Sequence, residues 1–294
     1  MAHPQHTPSL SDLEEVVSVL FCLIDDAYRF LNPHLRRYES LKRLSDSELI
    51  SLALLKQLRG VESERSFLRD AQRFFSHLFP GVVGLHPSSL HRRVRKLRRF
   101  LEPLRRQIVR ELVGDPETLV VDSTLLSVLH PRQVSQSAGF EGAAWVRWGS
   151  FSIYGVKLHL LCATNRVLIS YELTSSERGG HLPDRRTRRR GGFGRGDSEE
   201  AFRGFGLPQR GIGGCTGRVQ HPAGDRALPA ARKRQQVEIA LASLKREFRL
   251  EQTLATTLVG LVTRIAAKVT AYIYGFFVNR LLGRPQGRIR ELWA

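Results

Sequence analysis

The feature that most constrains the fold of this 294-residue chain is an interruption, residues 177–232, in which the pattern of a globular domain stops. The segment holds 13 of the 25 glycines and 12 arginines, and neither the period of 2.0 of a strand nor the period of 3.6 of a helix survives in it. Regular patterns flank it: residues 151–174 alternate like paired strands, and residues 234–250 repeat like a helix. Any domain that continues across the interruption has to accommodate it.

Two interpretations of this segment stay open. The first is a low-complexity linker rich in Arg and Gly, which buries too little apolar surface to offset its ordering entropy and is therefore expected to be disordered. The second is a GC-rich gene translated out of frame, because a shift of one base permits Leu-, Ala- and Glu-rich helices and two apolar strands. In this interpretation the reading frame shifts near Ser176 and is restored before Arg234, as gene decay or a sequencing error would produce.

The chain is strongly basic. Its net charge is +18, and 34 of its 46 Lys and Arg residues lie outside 177–232. A basic surface of this size favours a polyanionic partner, most simply nucleic acid, and general solvation in an Arg-rich protein is the alternative. Three scattered cysteines without a CxxC pair indicate neither a disulfide framework nor a zinc site, and the N-terminus lacks a signal-peptide pattern. We therefore expect a cytoplasmic, nucleoid-associated protein.

The longest apolar stretch, residues 254–282, carries Arg264 and Lys268 near its middle. Two such charges would cost several kcal/mol in a bilayer, so the stretch predicts a buried helix of a soluble protein and no membrane partner.

Residues 1–113 predict an all-α N-terminal domain that ends in a long basic helix over about 88–112. Short helices followed by a helix of this charge are typical of a DNA-docking module of the helix-turn-helix kind, although solvated arginines on a bundle helix give the same pattern. The residues expected to contact DNA are Arg92, Arg93, Arg95 and Lys96.

Residues 114–129 change to a strand pattern in which Asp122 closes the apolar run 119–121. Burying an unpaired carboxylate costs several kcal/mol, so Asp122 is either a satisfied turn or cap residue or a metal ligand at the end of a strand. Two more strands follow at about 151–163 and 166–174. Between them and the first strand the pattern predicts a loop, whose Trp145, Arg147 and Trp148 either stack on bases or pack on their own domain.

After the interruption, Arg234, Glu238 and Lys245 lie at helical offsets of four and seven and so share one face of a helix. Salt bridges along an exposed face explain the same spacing.

Taken together, these residues resemble the DDE-class transposases of bacterial insertion sequences, which have an RNase H-like catalytic core. The likeness spans about 115–176 and 234–294. It is carried by the stretch LVVDSTLL around Asp122, the strand pair YGVKLHLLCATNRVLISYELT, the Arg234–Glu238–Lys245 helix, and the apolar C-terminal stretch that begins at Thr257. The resemblance implies an α/β fold: an RNase H-like mixed sheet with flanking helices over 114–294, anomalous at 177–233, preceded by the helical domain 1–113.

The family's core supplies two aspartates and a glutamate that hold two divalent ions, Mg²⁺ or Mn²⁺, for in-line phosphoryl transfer. By resemblance Asp122 matches the first carboxylate and Glu238 the third, and both are the expected catalytic and metal-binding residues. Lys245 matches the family's DNA-contacting lysine and Arg234 its basic partner. The implied partners are the ends of the element and target DNA, bound by a homo-oligomer.

The second aspartate is where this chain departs from the family. The corresponding stretch is 204–209, where no in-frame aspartate follows an apolar strand, and the shifted frame permits one across the Gly204/Phe205 junction. Asp197 and Asp225 lie nearby in Gly- and Arg-rich sequence and are poor substitutes. We therefore expect a transposase-family protein for DNA-mediated transposition that is catalytically impaired as written. The alternative is a non-catalytic DNA-binding remnant.

Overall fold

A computed structural model of the chain describes residues 10–32, 42–114, 116, 118–134, 140–148, 150–176 and 230–292. Residues 177–229, on which the prediction of disorder falls, lie outside these described residues. Residues 230–233, the end of the anomalous segment, are helical, so the helix after the interruption begins four residues earlier than its pattern predicted.

Four α-helices and a 3₁₀ turn form the N-terminal part of the structure. Ser45 begins the second helix with a capping box, in which its side chain accepts from the Glu48 N–H and Glu48 accepts from the Ser45 N–H. Pro103 lies inside the fourth helix without ending it. The elements are α1 (Leu10–Leu31), α2 (Asp46–Leu58), α3 (Glu64–Phe74), the 3₁₀ turn Pro80–Val82 and α4 (Pro87–Val113).

The chain then forms four strands and two further long helices. Their bounds are β1 (Leu119–Ser127), α5 (Pro131–Val134), β2 (Ala144–Trp148), β3 (Phe151–Ala163), β4 (Leu168–Ser175), α6 (Ala230–Arg246), α7 (Leu258–Leu281) and a final 3₁₀ turn, Ile289–Leu292.

The strands form one antiparallel sheet around β3. The full length of β1 pairs with residues 155–163 of β3, while β4 and β2 pair with the opposite edge of β3. Ser176, just after β4, joins β4 to β2 because its hydroxyl accepts from the Ala144 N–H at 2.9 Å and donates to the Gly155 carbonyl at 2.5 Å. The described strands therefore make an antiparallel sheet, whereas the sequence predicted a mixed one.

Two local expectations were wrong. Residues 144–148, predicted as part of a loop, form β2, because Trp145 and Val146 pair with Tyr154 and Ile153 of β3. Asp122 does not close its strand but lies fourth among the nine residues of β1. The strand continues because Thr124 and Leu126, two and four residues on, are buried in the core.

The two faces of the sheet differ. Alternate residues of β3 (Val156, Leu158, Leu160 and Cys162) are at most 1% exposed and face the helices. On the opposite face Val121 is 67% exposed. Among the described residues, the helices α4, α6 and α7 pack on the buried face.

Helix α7 is the centre of the core. Buried residues lie on all of its faces, as in a helix at the centre of a core, and it packs against both α2 and α4. By length and composition α7 is a helix that could cross a membrane, yet 94% of its most apolar stretch is buried inside the protein. The prediction of a buried helix is confirmed.

This packing joins the two parts of the chain. Residues of α1, α2 and α4 belong to the same hydrophobic core as those of α6, α7 and the sheet. The N-terminal helices therefore share their core with the C-terminal helix α7. The division of the chain into two domains at residue 113/114 stays a prediction.

Candidate functional site

The first candidate site is the exposed face of α4. Counted from the first of them, its basic residues lie at offsets of 0, 3, 4, 7, 14 and 18, which at 100° per residue keeps all of them within about 100° of arc. They are exposed to solvent and comprise Arg92, Arg95, Lys96, Arg99, Arg106 and Arg110. We call this set the basic face of α4.

The basic face is long and nearly free of acid. From Arg92 to Arg110 the helix rises about 27 Å, which spans many phosphates of a duplex. The only acidic residues of α4 are Glu111 and Glu102, and Glu102, which is 4% exposed, pairs with Arg106 at 2.9 Å. Cations in such a row repel one another, and a polyanion lying along them would relieve that repulsion.

Arg93, predicted with its neighbours to contact DNA, lies apart from the basic face. Its guanidinium donates to the Leu44 carbonyl and to Asp46 Oδ1, both at 2.8 Å. Burial raises the pKa of Asp46, but hydrogen bonds from Lys42 and Arg93 outweigh burial and hold it below its usual value. Arg93 thus fastens α4 to the start of α2.

The predicted stripe on α6 exists as a solvent-facing row. Glu238 Oε1 lies 3.2 Å from Arg234 Nε, and these side chains are 55% and 76% exposed. Lys245 pairs with Glu251 at 2.7 Å. The opposite side of α6 is buried through Val237, Ala240 and Leu244, so the helix packs on the sheet and presents the stripe to solvent.

Asp122 lies on the helix-facing side of β1, opposite Leu160 of β3. It is half-buried, and its Oδ1 accepts a hydrogen bond from the Ser123 N–H at 2.8 Å. Helix α6 packs against β1, and Lys233 Nζ lies 3.4 Å from Thr118 Oγ1 at the start of that strand. Asp122 and the helix that carries Glu238 are therefore on the same face of the sheet.

The two carboxylates are engaged separately, Asp122 by a backbone amide and Glu238 by Arg234. In the part of the chain that the structure describes, no group of three or more His, Cys, Asp or Glu side chains is placed to hold a metal ion. The two carboxylates alone do not supply the ligands of a site for two ions, so the binding of Mg²⁺ or Mn²⁺ stays a prediction.

Trp145 lies at the edge of the sheet with 51% of its surface exposed. Its ring packs on Tyr154 with centroids 5.5 Å apart, and Arg147 is exposed two residues further along β2. Both predicted roles, stacking on bases and packing on its own domain, remain compatible with this half-exposed position.

Sequence reasoning missed a cluster of cations inside the protein. Lys56, Arg264 and Lys268 come together between α2 and α7, where Lys268 is 6% exposed. The signal was present, since two cations interrupt an otherwise apolar helix. It was interpreted only as excluding a membrane span, because their neighbours come from distant parts of the chain.

Comparison with known protein families, curated proteins and solved structures finds no match to this chain.

Proposed function

We propose that this chain is a DNA-binding protein of the DDE transposase lineage, which contacts the DNA backbone through the basic face of α4 and does not cut DNA as written. The observation that carries the proposal is the basic face itself: six cations in one row on one exposed side of one helix. Neutralising phosphates with such a row releases counterions, which is the main source of sequence-independent affinity for DNA.

The lineage is supported by the carboxylate pattern and its setting. Asp122 lies on β1 of an antiparallel sheet, and the helix with Arg234, Glu238 and Lys245 packs on the same face. An RNase H-like core, a separate N-terminal DNA-binding domain, two divalent ions and a homo-oligomer on DNA belong to the same proposal.

The chain is expected not to cut DNA because the family's second catalytic aspartate is missing from it. Two ions held by Asp122 and Glu238 alone would lack a shared third ligand, and in-line attack needs both ions in fixed positions. A protein that occupies the ends of an element without cutting them is therefore the form of the function that this sequence supports. A fully active transposase is the alternative, and it requires an aspartate at the Gly204/Phe205 junction.

Binding of a labelled 30-base-pair duplex, measured by fluorescence anisotropy at several salt concentrations, tests the proposal. The double variant Arg92→Glu/Lys96→Glu reverses two charges on the basic face. We expect it to bind about 10- to 100-fold more weakly, with a shallower dependence of log K on log salt.

The matched control is Arg69→Glu/Arg73→Glu, which reverses two exposed charges four residues apart on α3. This control makes the same change in net charge on another helix. If both variants lose affinity equally, net charge and not the basic face governs binding, and the proposal fails.

A further inference from the structure

A second cationic feature lies inside the protein, at the junction of α2, α4 and α7. It is a cavity of about 60 Å³, which is room for about four water molecules or one small polyatomic ion. Four cations line it, Lys56, Arg95, Arg264 and Lys268, together with two carboxylates, Glu62 and Glu64. We call it the cationic cleft.

Other groups engage both carboxylates of the cleft. Glu62 Oε1 lies 2.7 Å from Arg249 Nη1. Glu64 Oε1 lies 3.2 Å from His91 Nδ1 and 3.8 Å from Lys56 Nζ. The acidic side of the cleft is therefore already balanced by these groups.

Arg264 and Lys268 bind backbone carbonyls and form no direct salt bridge among the described residues. Arg264 donates to the carbonyl of Thr253, and Lys268 donates to the carbonyl of Phe248. Within the described residues, no carboxylate forms a salt bridge with either cation. The buried ammonium of Lys268 thus has a carbonyl oxygen but no carboxylate in direct contact, which leaves its charge only partly compensated.

The cations also destabilise one another. Burial, and then the charge of Lys56, lowers the pKa of Lys268 to about 8, with Arg264 and Arg249 adding to the effect and Glu62 opposing it. Burial lowers the pKa of Lys56 as well, and Arg264 contributes to that shift against the pull of Glu64 and Glu62. An anion in the cleft would relieve this repulsion.

The N-terminus of α7 borders one end of the cleft. Thr257 caps α7 by accepting from the Gly260 N–H at 3.1 Å, and Gly260 lines the cleft. The dipole of this 24-residue helix adds positive potential at that end of the cleft.

We propose that the cationic cleft binds a phosphate oxyanion between Lys56, Arg264 and Lys268. Two sources share this chemistry, a phosphate of the DNA backbone and free inorganic phosphate. Arg95 belongs both to the cleft and to the basic face of α4, so DNA lying on that face would bring a phosphate to the cleft's mouth. The cleft itself stands on its own chemistry and does not depend on the proposed function.

Titration of the full-length chain with inorganic phosphate, at an ionic strength held constant with chloride, tests the cleft. We expect saturable binding, a rise in melting temperature that grows with phosphate, and weaker binding as the pH rises above 8 and Lys268 loses its proton. His91 and Glu64, which lie 3.2 Å apart, also line the cleft.

Two variants separate binding from folding. Lys268→Met keeps the volume of the buried side chain, and Arg264→Gln changes a residue at the more open side of the cleft. Each should weaken phosphate binding at least tenfold, while Arg73→Gln, an exposed control on α3, should leave it unchanged. The proposal is overturned if phosphate stabilises the protein no more than chloride does. It is also overturned if Lys268→Met and Arg264→Gln, where they remain folded, bind phosphate as tightly as the parent.

DNA-binding measurements on the Arg264→Gln variant identify the source of the phosphate. If Arg264→Gln lowers the salt slope of DNA binding by about one and phosphate competes with DNA, the cleft holds a backbone phosphate. The cleft holds free phosphate if Arg264→Gln loses phosphate binding but binds DNA as the parent does. The same conclusion holds if the parent itself does not bind DNA. Failure of the proposed function is thus distinguishable from failure of the cleft.

Discussion

Arg105 of α4 and Glu102, one turn before it, form a salt bridge that is buried against the sheet. Arg105 Nε lies 2.8 Å from Glu102 Oε2, and the two side chains are 1% and 5% exposed. The same guanidinium donates to the carbonyls of Leu168 at 2.7 Å and Ile169 at 2.8 Å, at the start of β4. One side chain therefore fixes the position of the basic helix relative to the sheet.

Replacing Arg105 should destabilise the protein strongly. Arg105→Met removes the partner of a buried carboxylate and leaves two carbonyls of β4 without a donor, so we expect a loss of about 3 to 5 kcal/mol in the free energy of unfolding. Urea denaturation monitored by circular dichroism measures it. Arg106→Met is the control, because Arg106 also contacts Glu102, at 2.9 Å, but is 44% exposed. That variant should lose less than about 1 kcal/mol, and an equal loss in both variants would contradict the structural role of Arg105.

Replacing Lys268 should have the opposite effect at neutral pH. The pKa of Lys268 is lowered from 10.5 to about 8, so keeping the buried ammonium protonated costs about 3 kcal/mol at 1.36 kcal/mol per unit. The lost hydrogen bond to Phe248 offsets about 1 kcal/mol of that gain. Lys268→Met should therefore stabilise the chain by about 2 kcal/mol at pH 7 in chloride buffer.

The pH dependence of that gain follows from the sign of the shift. Between pH 8 and 10.5 the unfolded state binds a proton at Lys268 that the folded state has lost, so the parent gains stability as pH rises and the variant does not. The advantage of Lys268→Met should thus shrink across this range, as chemical denaturation at a series of pH values would record. Lys96→Met, which makes the same replacement at an exposed site on α4, is the matched control. A flat difference for Lys268→Met would contradict the prediction.

Gly155 should not tolerate a side chain. It pairs with Ser127 of β1 on one edge and with Ala144 of β2 on the other, and an added Cβ would lie 2.1 Å from the backbone oxygen of Leu126. Because backbone cannot rotate away, Gly155→Ala has to shift β1 and should cost about 3 kcal/mol or more. Gly283→Ala is the control: no atom lies within 4 Å of its added Cβ, and only its left-handed conformation costs energy, about 1 to 2 kcal/mol. If the melting temperatures of Gly155→Ala and Gly283→Ala fall by the same amount, the predicted clash at Gly155 is wrong.

The chain as written should not nick DNA. Repairing the frame so that an aspartate stands at the Gly204/Phe205 junction should restore magnesium-dependent nicking of a duplex that carries the element's ends. Asp122→Ala or Glu238→Ala in the repaired protein should abolish it again, since each removes a metal ligand of the proposed site. Nicking by the unrepaired chain that disappears with Asp122→Ala would refute the importance of the missing aspartate.

Periodicity in the sequence predicted the elements whose apolar spacing is strong. Helix α4 was expected over about 88–112 and spans Pro87–Val113, and β3 was expected at 151–163 and spans Phe151–Ala163. The extent of β1 was missed because Asp122 and Ser123 look like the end of a strand. In the structure they alternate between its two faces, and the burial of Thr124 and Leu126 sustains the strand.

The sites were harder to predict than the elements because they depend on contacts between distant residues. The shared face of Arg234 and Glu238 follows from their spacing on one helix. The engagement of Arg93 by Asp46, and the meeting of Lys56 with Lys268, join residues from different helices, and no local pattern encodes them. A single sequence therefore identifies the charged residues but not which of them face inward.

The central position of α7 has a consequence for how the protein is made. The ribosome releases α1, α2 and α4 long before it has synthesised α7, the helix against which α2 and α4 pack. Until then the surfaces of α2 and α4 that face α7 lack that partner, and contacts of such wide sequence separation form slowly. The native core thus forms only after α7 has been synthesised, and until that moment the apolar surfaces that face α7 are exposed to chaperones and to other unfolded chains.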